Sequence, residues 1–372
     1  VGEHPTDPDD ASSCTAVDAE GNALYMVHAR TGELVWKVVK GATDTSSPTT
    51  VEVADFNDSV AAPVTMVPSR NENGIIELFY VADTGGNVWR FDTPRAGTTE
   101  QQEDASFRTD NWQVTKIAEL GHDSSDGVDR RFFAAMDIAR SEDELGEYLG
   151  LVLISGDRAH PRSETSVQNT TFMIKDRFTV PGKPDGDPDN DPATNTRQPI
   201  TLSDLENVTS NCLTAVDRQA DDLCQVDEAD TSGLINGWYF DLGGDGEGPG
   251  EKGFTQPLIG FDPQTEEPII FFTTYVPQED DPEACTANIG FSRLYEVDFA
   301  TGAPKFHLSG STTGTDFIRE DRFENLAPGI DGGVTAITPN QGLTSTGRPV
   351  EIGSQRPIPK YWREKGVDVL DD

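Results

Sequence analysis

One local unit, written three times along the chain, limits what it can fold into. Its sharpest copy is Leu78-Phe79-Tyr80-Val81-Ala82-Asp83-Thr84-Gly85-Gly86-Asn87-Val88-Trp89-Arg90-Phe91-Asp92. Two β-rich runs flank an Asp-Thr-Gly-Gly-Asn turn, whose glycines can take the positive φ that a tight hairpin needs. Looser copies stand at residues 23–36 and 292–306. Each has a Leu-Tyr-x-Val strand, a turn containing Gly, and a departing strand that carries an aromatic residue. Repeated four-stranded sheets with one Gly/aromatic signature per blade mark β-propellers. The expectation is an all-β fold, with roughly five blade-like units of about 40–50 residues each.

The rest of the chain agrees. Strand-like runs occupy residues 131–138, 149–154, 171–174, 237–242 and 268–275. Ile269-Ile270-Phe271-Phe272-Thr273-Thr274-Tyr275-Val276 is nearly continuously apolar, as expected of a strand buried on both faces. Helical periodicity is scarce, and residues 141–146 are its best candidate. Long acidic or Pro-rich excursions at 93–110, 181–199 and 243–252 are too poor in apolar residues to bury a core, so they read as surface loops. Trp36, Trp89, Trp112, Trp238 and Trp362 are spread along the chain, each expected to pack between adjacent sheets.

Charge narrows the partners. The formal net charge is −38, with 66 Asp plus Glu against 28 Lys plus Arg. Such a surface repels nucleic acid and anionic lipid. It serves solubility in salt, or gathers divalent cations at some of its carboxylates. No apolar run approaches the roughly 20 residues of a membrane helix, so membrane insertion is not expected. No signal peptide is visible, and the start at Val1 reads as a mature or trimmed product. The four cysteines, Cys14, Cys212, Cys224 and Cys285, form no CxxC pair. Cys212 and Cys224 bracket an Asp-rich segment that a loop-closing disulfide would hold, leaving Cys14 and Cys285 to pair across the fold. This suits an oxidising compartment; free buried thiols are the alternative.

Catalytic constellations are missing from the sequence. There is no G-x-S-x-G elbow, H-E-x-x-H pair or phosphate loop. His4, His28, His122, His160 and His307 have no ligand spacing. His160 lies in Gly156-Asp157-Arg158-Ala159-His160-Pro161, read as a structural corner. There Asp157 would accept from backbone N–H groups and Arg158 would pair with an acid. The enzymatic alternative is a quinoprotein dehydrogenase, because Ala29-Arg30-Thr31-Gly32-Glu33-Leu34-Val35-Trp36 resembles the tryptophan-docking repeat of quinoprotein-like propellers. That repeat packs blades and does not itself catalyse, and basic side chains for the cofactor carboxylates are sparse.

The ordered motifs ALYMVHARTGELVWKV, DFND, FYVADTGGNVWRFD, ISGDRAHP, FMIKD, GWYFDL, GEKGFTQPLI, IFFTTYVP, SRLYEVDFATGAPKF and RPIPKYWRE resemble the C-terminal propeller domain of the PilY family. These are large secreted proteins associated with type IV pili. The likeness runs from about residue 23 to residue 364, nearly the whole chain. It implies that residues 1–372 are a C-terminal β-propeller portion, with further blades and an N-terminal region upstream. It implies a non-enzymatic, extracellular module at the pilus tip or outer cell surface, exported through the periplasm and acting in pilus biogenesis and adhesion. Its partners would be minor pilins, the upstream domain, or a host or surface ligand. A generic secreted propeller that binds calcium or a glycan is a further alternative.

The resemblance also implies a calcium loop before the Tyr80 hairpin, where oxygens at alternating positions surround a hard cation. Ser69, Asn71, Asn73 and Glu77 keep that spacing, although Glu77 alone carries a charge. Asp55 and Asn57 stand earlier as a displaced first half. Asp185, Asp187, Asp189 and Asp191 alternate in a second acidic run, without the closing Glu of an EF-hand loop. Residues 241–247 are a weaker third run.

Overall fold

The structure is a computed structural model that describes residues 18, 20–47, 49–68, 76–93, 112–121, 129–179, 181, 198–209, 234–243, 250–262, 267–278, 288–310, 317–338 and 340–352. Its regular elements are strands in five sheets, with short 3-10 turns at Leu202–Asp204 and Arg319–Arg322.

Sheet one contains β1 (Ala23–Val27), β2 (Leu34–Lys40), β3 (Thr45–Ser47) and β4 (Thr50–Val53) in the order β1-β2-β4-β3. Sheet two is an antiparallel meander of β5 (Thr65–Pro68), β6 (Ile76–Ala82), β7 (Asn87–Asp92) and β8 (Gln113–Glu119). Sheet three begins with β9 (Asp137–Asp143), β10 (Gly146–Ile154) and β11 (Thr170–Asp176). Two short strands follow, β12 (Ile200–Thr201) and β13 (Glu206–Asn207), before β14 (Gly237–Asp241) completes that meander against β11. Sheet four holds β15 (Lys252–Gly253), β16 (Leu258–Phe261), β17 (Pro268–Val276), β18 (Phe291–Asp298) and β19 (Phe323–Pro328). Sheet five is β20 (Val334–Thr338), β21 (Gln341–Thr344) and β22 (Pro349–Glu351). A recurrent addition decorates the first three sheets. The strands β2, β8 and β14 each gain one strand in parallel: β4, β12 and β13 respectively.

The sheets stack in chain order, and side-chain alternation explains why. On β6, Leu78, Tyr80 and Ala82 join a cluster with Leu149, Leu151 and Leu153 of β10, while Val81 joins Trp36 and Val38 of sheet one. On β17, Ile270 and Phe272 face Trp238 and Phe240 of sheet three, while Ile269 and Phe271 face Val350 and Ile352 beside sheet five. A strand that feeds a core on both faces must be apolar at successive positions. The continuous run at Ile269 and the hairpin at Leu78 are therefore two signs of one architecture. Strands β5 and β16 both lie against β9.

The repeated turns share their chemistry more closely than their spelling. In the first and third copies a Thr-Gly turn follows an acceptor side chain. Thr31 N–H reaches His28 Nδ1 at 3.3 Å, and Thr301 N–H reaches Asp298 Oδ1 at 2.9 Å. Gly32 and Gly302 then take φ of +74° and +69°. In the sharpest copy, Asp83 Oδ1 accepts from the N–H of Gly85 (3.0 Å) and Asn87 (2.9 Å), and Asp83 Oδ2 accepts from Trp89 Nε1 at 2.7 Å. Trp36, Trp89, Trp112 and Trp238 are buried between sheets, as expected, and Trp362 lies outside the described residues. Trp36 meets Trp112 edge-on at 5.3 Å, and Trp238 donates to the Phe299 carbonyl at 3.0 Å.

Charges enter these seams with partners. Between sheets two and three, fully buried Arg90 holds Asp92 (2.6 Å) and Asp176 (2.8 Å), and Tyr80 donates to Asp176 at 2.8 Å. Between sheets three and four, buried Glu251 accepts from Arg293 Nη1 (2.7 Å), Tyr295 OH (2.8 Å) and Gly243 N–H (2.9 Å), with Asn169 donating to its carbonyl at 2.9 Å. Arg322 donates to the carbonyls of Gly302, Val208 and Thr209, and burial pushes its pKa down to about 9.

Three expectations need correction. Residues 141–146 form no helix but the hairpin between β9 and β10, where Asp143 Oδ1 caps the N–H of Leu145 at 3.0 Å. Residues 131–136 are not strand. Their backbone serves neighbouring turns instead, with Phe132 N–H on the Asp83 carbonyl and Gly156 N–H on the Arg131 carbonyl. The excursion at 243–252 does not end on the surface, because Glu251 and Lys252 are buried within their hydrogen-bond networks.

Candidate functional site

The first strand of sheet four is broken, and the break opens a cleft. Lys252 and Gly253 pair with Tyr275 and Thr274, and pairing resumes only at Leu258, opposite Phe271. Residues 254–257 bow out between them. Pro257 has no N–H to give a ladder. Thr255 Oγ1 instead reaches the Thr273 carbonyl at 3.3 Å, and Gln256 Nε2 donates to the Met136 carbonyl at 3.2 Å. Phe254 stacks on Tyr275 with ring centroids 6.0 Å apart, and Tyr275 OH donates to the Ile289 carbonyl at 3.0 Å.

The opposite wall is the segment entering β20. Asp331 is buried there and organises it. Its Oδ1 accepts from the N–H of Gly333 (2.8 Å) and Ser345 (3.4 Å), and its Oδ2 accepts from Thr346 N–H at 3.1 Å. Gly333 sits at φ +95°, where a Cβ would also stand 2.9 Å from Thr255 Cβ. The walls therefore approach each other only because this residue is glycine. The cleft measures about 520 Å³, between residues 254–256 and 330–335, with Arg158 and Pro161 at one end.

The Asp-Arg-x-His-Pro turn delivers those last two residues. Asp157 accepts from Ala159 N–H (2.8 Å) and His160 N–H (3.3 Å), and its Oδ2 faces His160 Nδ1 at 2.9 Å, the corner expected from sequence. Burial opposes its charge, but the His160 and Ala159 hydrogen bonds outweigh that and hold the carboxyl below its usual range. Arg158 departs from expectation. It is exposed and makes no ion pair or hydrogen bond with any described residue.

A second polar cluster surrounds the Asp83 turn. Asn87 Nδ2 donates to Asp58 Oδ2 at 3.1 Å, and Asp18 Oδ2 accepts from Ser59 N–H at 2.8 Å. Burial, followed by the neighbouring charges of Asp83 and Asp18, raises the Asp58 pKa to about 6.

Of the residues expected to hold calcium, Ser69, Asn71 and Asn73 lie outside the described residues, as do Asp185, Asp187, Asp189, Asp191 and all four cysteines. Glu77 is half-buried in β6. Asp55 is engaged by Lys116 at 2.6 Å, and the Asn57 carbonyl accepts the N–H of Asp18 at 3.0 Å. Among the described residues, no three His, Cys, Asp or Glu side chains gather into a metal-holding group. The cleft itself was not anticipated. Its one sequence signal is Pro257, inside an otherwise strand-like stretch.

No family model and no curated protein matches the sequence. Among solved structures, the chain is similar to the C-terminal domain of PilY1 from Pseudomonas aeruginosa, with a TM-score of 0.54 and 17% identity, over 91% of this chain and 67% of that one. No helix among the described residues is long and apolar enough to cross a membrane. The all-β, propeller-like fold of this chain is thus similar to that of the PilY1 C-terminal domain, in line with the resemblance its ordered motifs carry.

Proposed function

We propose that this chain is a non-enzymatic binding and assembly module of a type IV pilus tip protein, acting outside the cell in pilus biogenesis and adhesion. The observation that carries the reading is the structural likeness to the PilY1 C-terminal domain across 91% of the chain. The five sheets are then blades of a larger, modified propeller that form a scaffold, and the long acidic loops are variable contact surfaces. The partners are minor pilins, the upstream domain of the same protein, or a host or surface ligand. Immunogold labelling of sheared filaments with an antibody to this chain tests the assignment. Label confined to filament ends is expected. Filaments free of label, with the protein abundant elsewhere, would overturn the pilus setting. Dye-linked oxidation of alcohols or sugars with added quinone would overturn the non-enzymatic part.

Calcium belongs to the same proposal. Ser69, Asn71, Asn73 and Glu77 would supply oxygens, with little formal charge and hence weak affinity. Ordering of that loop would bias pilus extension against retraction. Replacing Asn71, Asn73 and Glu77 together should lower both metal content and twitching motility, and no change in either would end this part of the reading.

A further inference from the structure

We infer that the cleft at the break in sheet four captures an extended peptide through a carboxylate, with Arg158 as its anion contact. This rests on the binding-module reading of the chain but not on its pilus setting.

Three independent features converge there. The first is charge. In a chain of net charge −38, many described cations are claimed, as Arg90, Arg131, Lys175, Arg177, Lys252 and Arg293 are by ion pairs. Arg158 forms none with any described residue, yet it borders the cleft. A guanidinium presents a planar fork that matches a carboxylate through two parallel hydrogen bonds. The adjacent buried carboxyl, Asp331, is turned toward the backbone, where N–H groups engage both of its oxygens.

The second feature is apolar surface. Phe254, Pro161 and Val334 line the cleft. At its mouth Ile330 is 54% exposed, and Ile289 close by is 53% exposed. Clustered exposed aliphatics beside a polar anchor mark a binding site more than a packing defect.

The third feature selects a peptide over other carboxylates. Strand β20 is an edge of sheet five, and its first residues, Val334 and Thr335, line the cleft. Alternate backbone N–H and C=O groups along an edge have no partner within the sheet. A peptide can satisfy them by adding a strand, with a side chain in the apolar pocket and its carboxylate on the cation. The Asp331 hydrogen bonds hold the receiving segment in place beforehand, which lowers the ordering cost of binding.

The test uses two degenerate pools of five-residue peptides ending in Leu, Ile, Val or Phe, one made as free acids and the other as C-terminal amides. Each is passed over the immobilised chain, and retained peptides are read by mass spectrometry. Free acids should be retained at least tenfold over amides, and Arg158→Gln should abolish that difference. Arg158 is exposed, so the variant should fold, which its unchanged melting curve would verify. Amides carrying an internal Asp that are retained only when Arg158 is present would place the carboxylate on a side chain instead of a terminus, and would also support the capture site. Equal retention of all pools by the unaltered chain, or selectivity that survives Arg158→Gln, would overturn it. Neither result bears on filament labelling, so the two readings fail separately.

Discussion

The seam between sheets two and three and the seam between sheets four and five are built to one plan with different thoroughness. Among the described residues, the first buries eighteen apolar residues in one cluster and the second buries five. The first also encloses ionised groups with partners, Arg90 held by Asp92 and Asp176 while Tyr80 donates to Asp176. In the second, Glu296 is nearly buried with Glu324 and Glu351 nearby, and Arg348, whose charge favours ionisation of Glu296, already donates to Glu324 at 2.7 Å. The contrast separates two uses of one architecture. A thickly packed seam specifies the fold, whereas a thin and electrostatically uneasy seam leaves room for a cleft.

The largest test of that contrast is Asp176→Ala. It leaves a buried guanidinium and a buried phenol short of a partner, and should cost about 3–5 kcal/mol, read as a lower urea midpoint. Glu296→Gln should act in the opposite direction. Burial and then the charge of Glu324 lift its pKa from 4.5 to about 7. The folded chain thus holds a proton that the unfolded chain releases, and stability falls as pH rises from about 4.5 to about 7. The substitution should therefore stabilise by roughly 3 kcal/mol at pH 8 and do nothing at pH 4, in thermal melts at both values. An equal gain at the two pH values would mean that the seam is not strained by charge.

Tyr80→Phe removes one hydrogen bond to Asp176 and should cost about 1.5 kcal/mol. A cost matching that of Asp176→Ala would show the network to be one inseparable unit. Asp58→Asn should flatten the decline in stability expected between about pH 4 and pH 6, since folding raises that carboxyl from 3.8 to about 6. Arg158→Gln should shift stability by less than about 0.5 kcal/mol, because an exposed side chain without a described partner contributes little to folding. A larger loss would recast it as structural.

The two seams also differ in how far they could be read beforehand. Ile269 to Val276 declared itself, because burial on two faces removes polar alternation. The turn at Asp83 was legible from its glycines and from Asn87. Arg90 was visible but its second partner was not, since Asp176 lies 86 residues away among 66 acidic residues of equal candidacy. The break at residues 254–257 depends on the register of β17 against two separate short strands, and one proline cannot convey that. The acidic stretch at 141–146 resembled a helix only in composition, and the flanking strands pulled it into a hairpin.

The stacking of the sheets has a mechanical consequence. Among the described residues, each hydrophobic cluster joins sheets that follow one another in the chain, so cohesion there runs in series. Tension applied across such a stack is borne in full by every seam, and the thinnest yields first. Here that is the junction beside the cleft, which acts as a fuse placed next to a binding surface. A peptide seated along β20 would splint the junction, so an occupied molecule would withstand more force than an empty one.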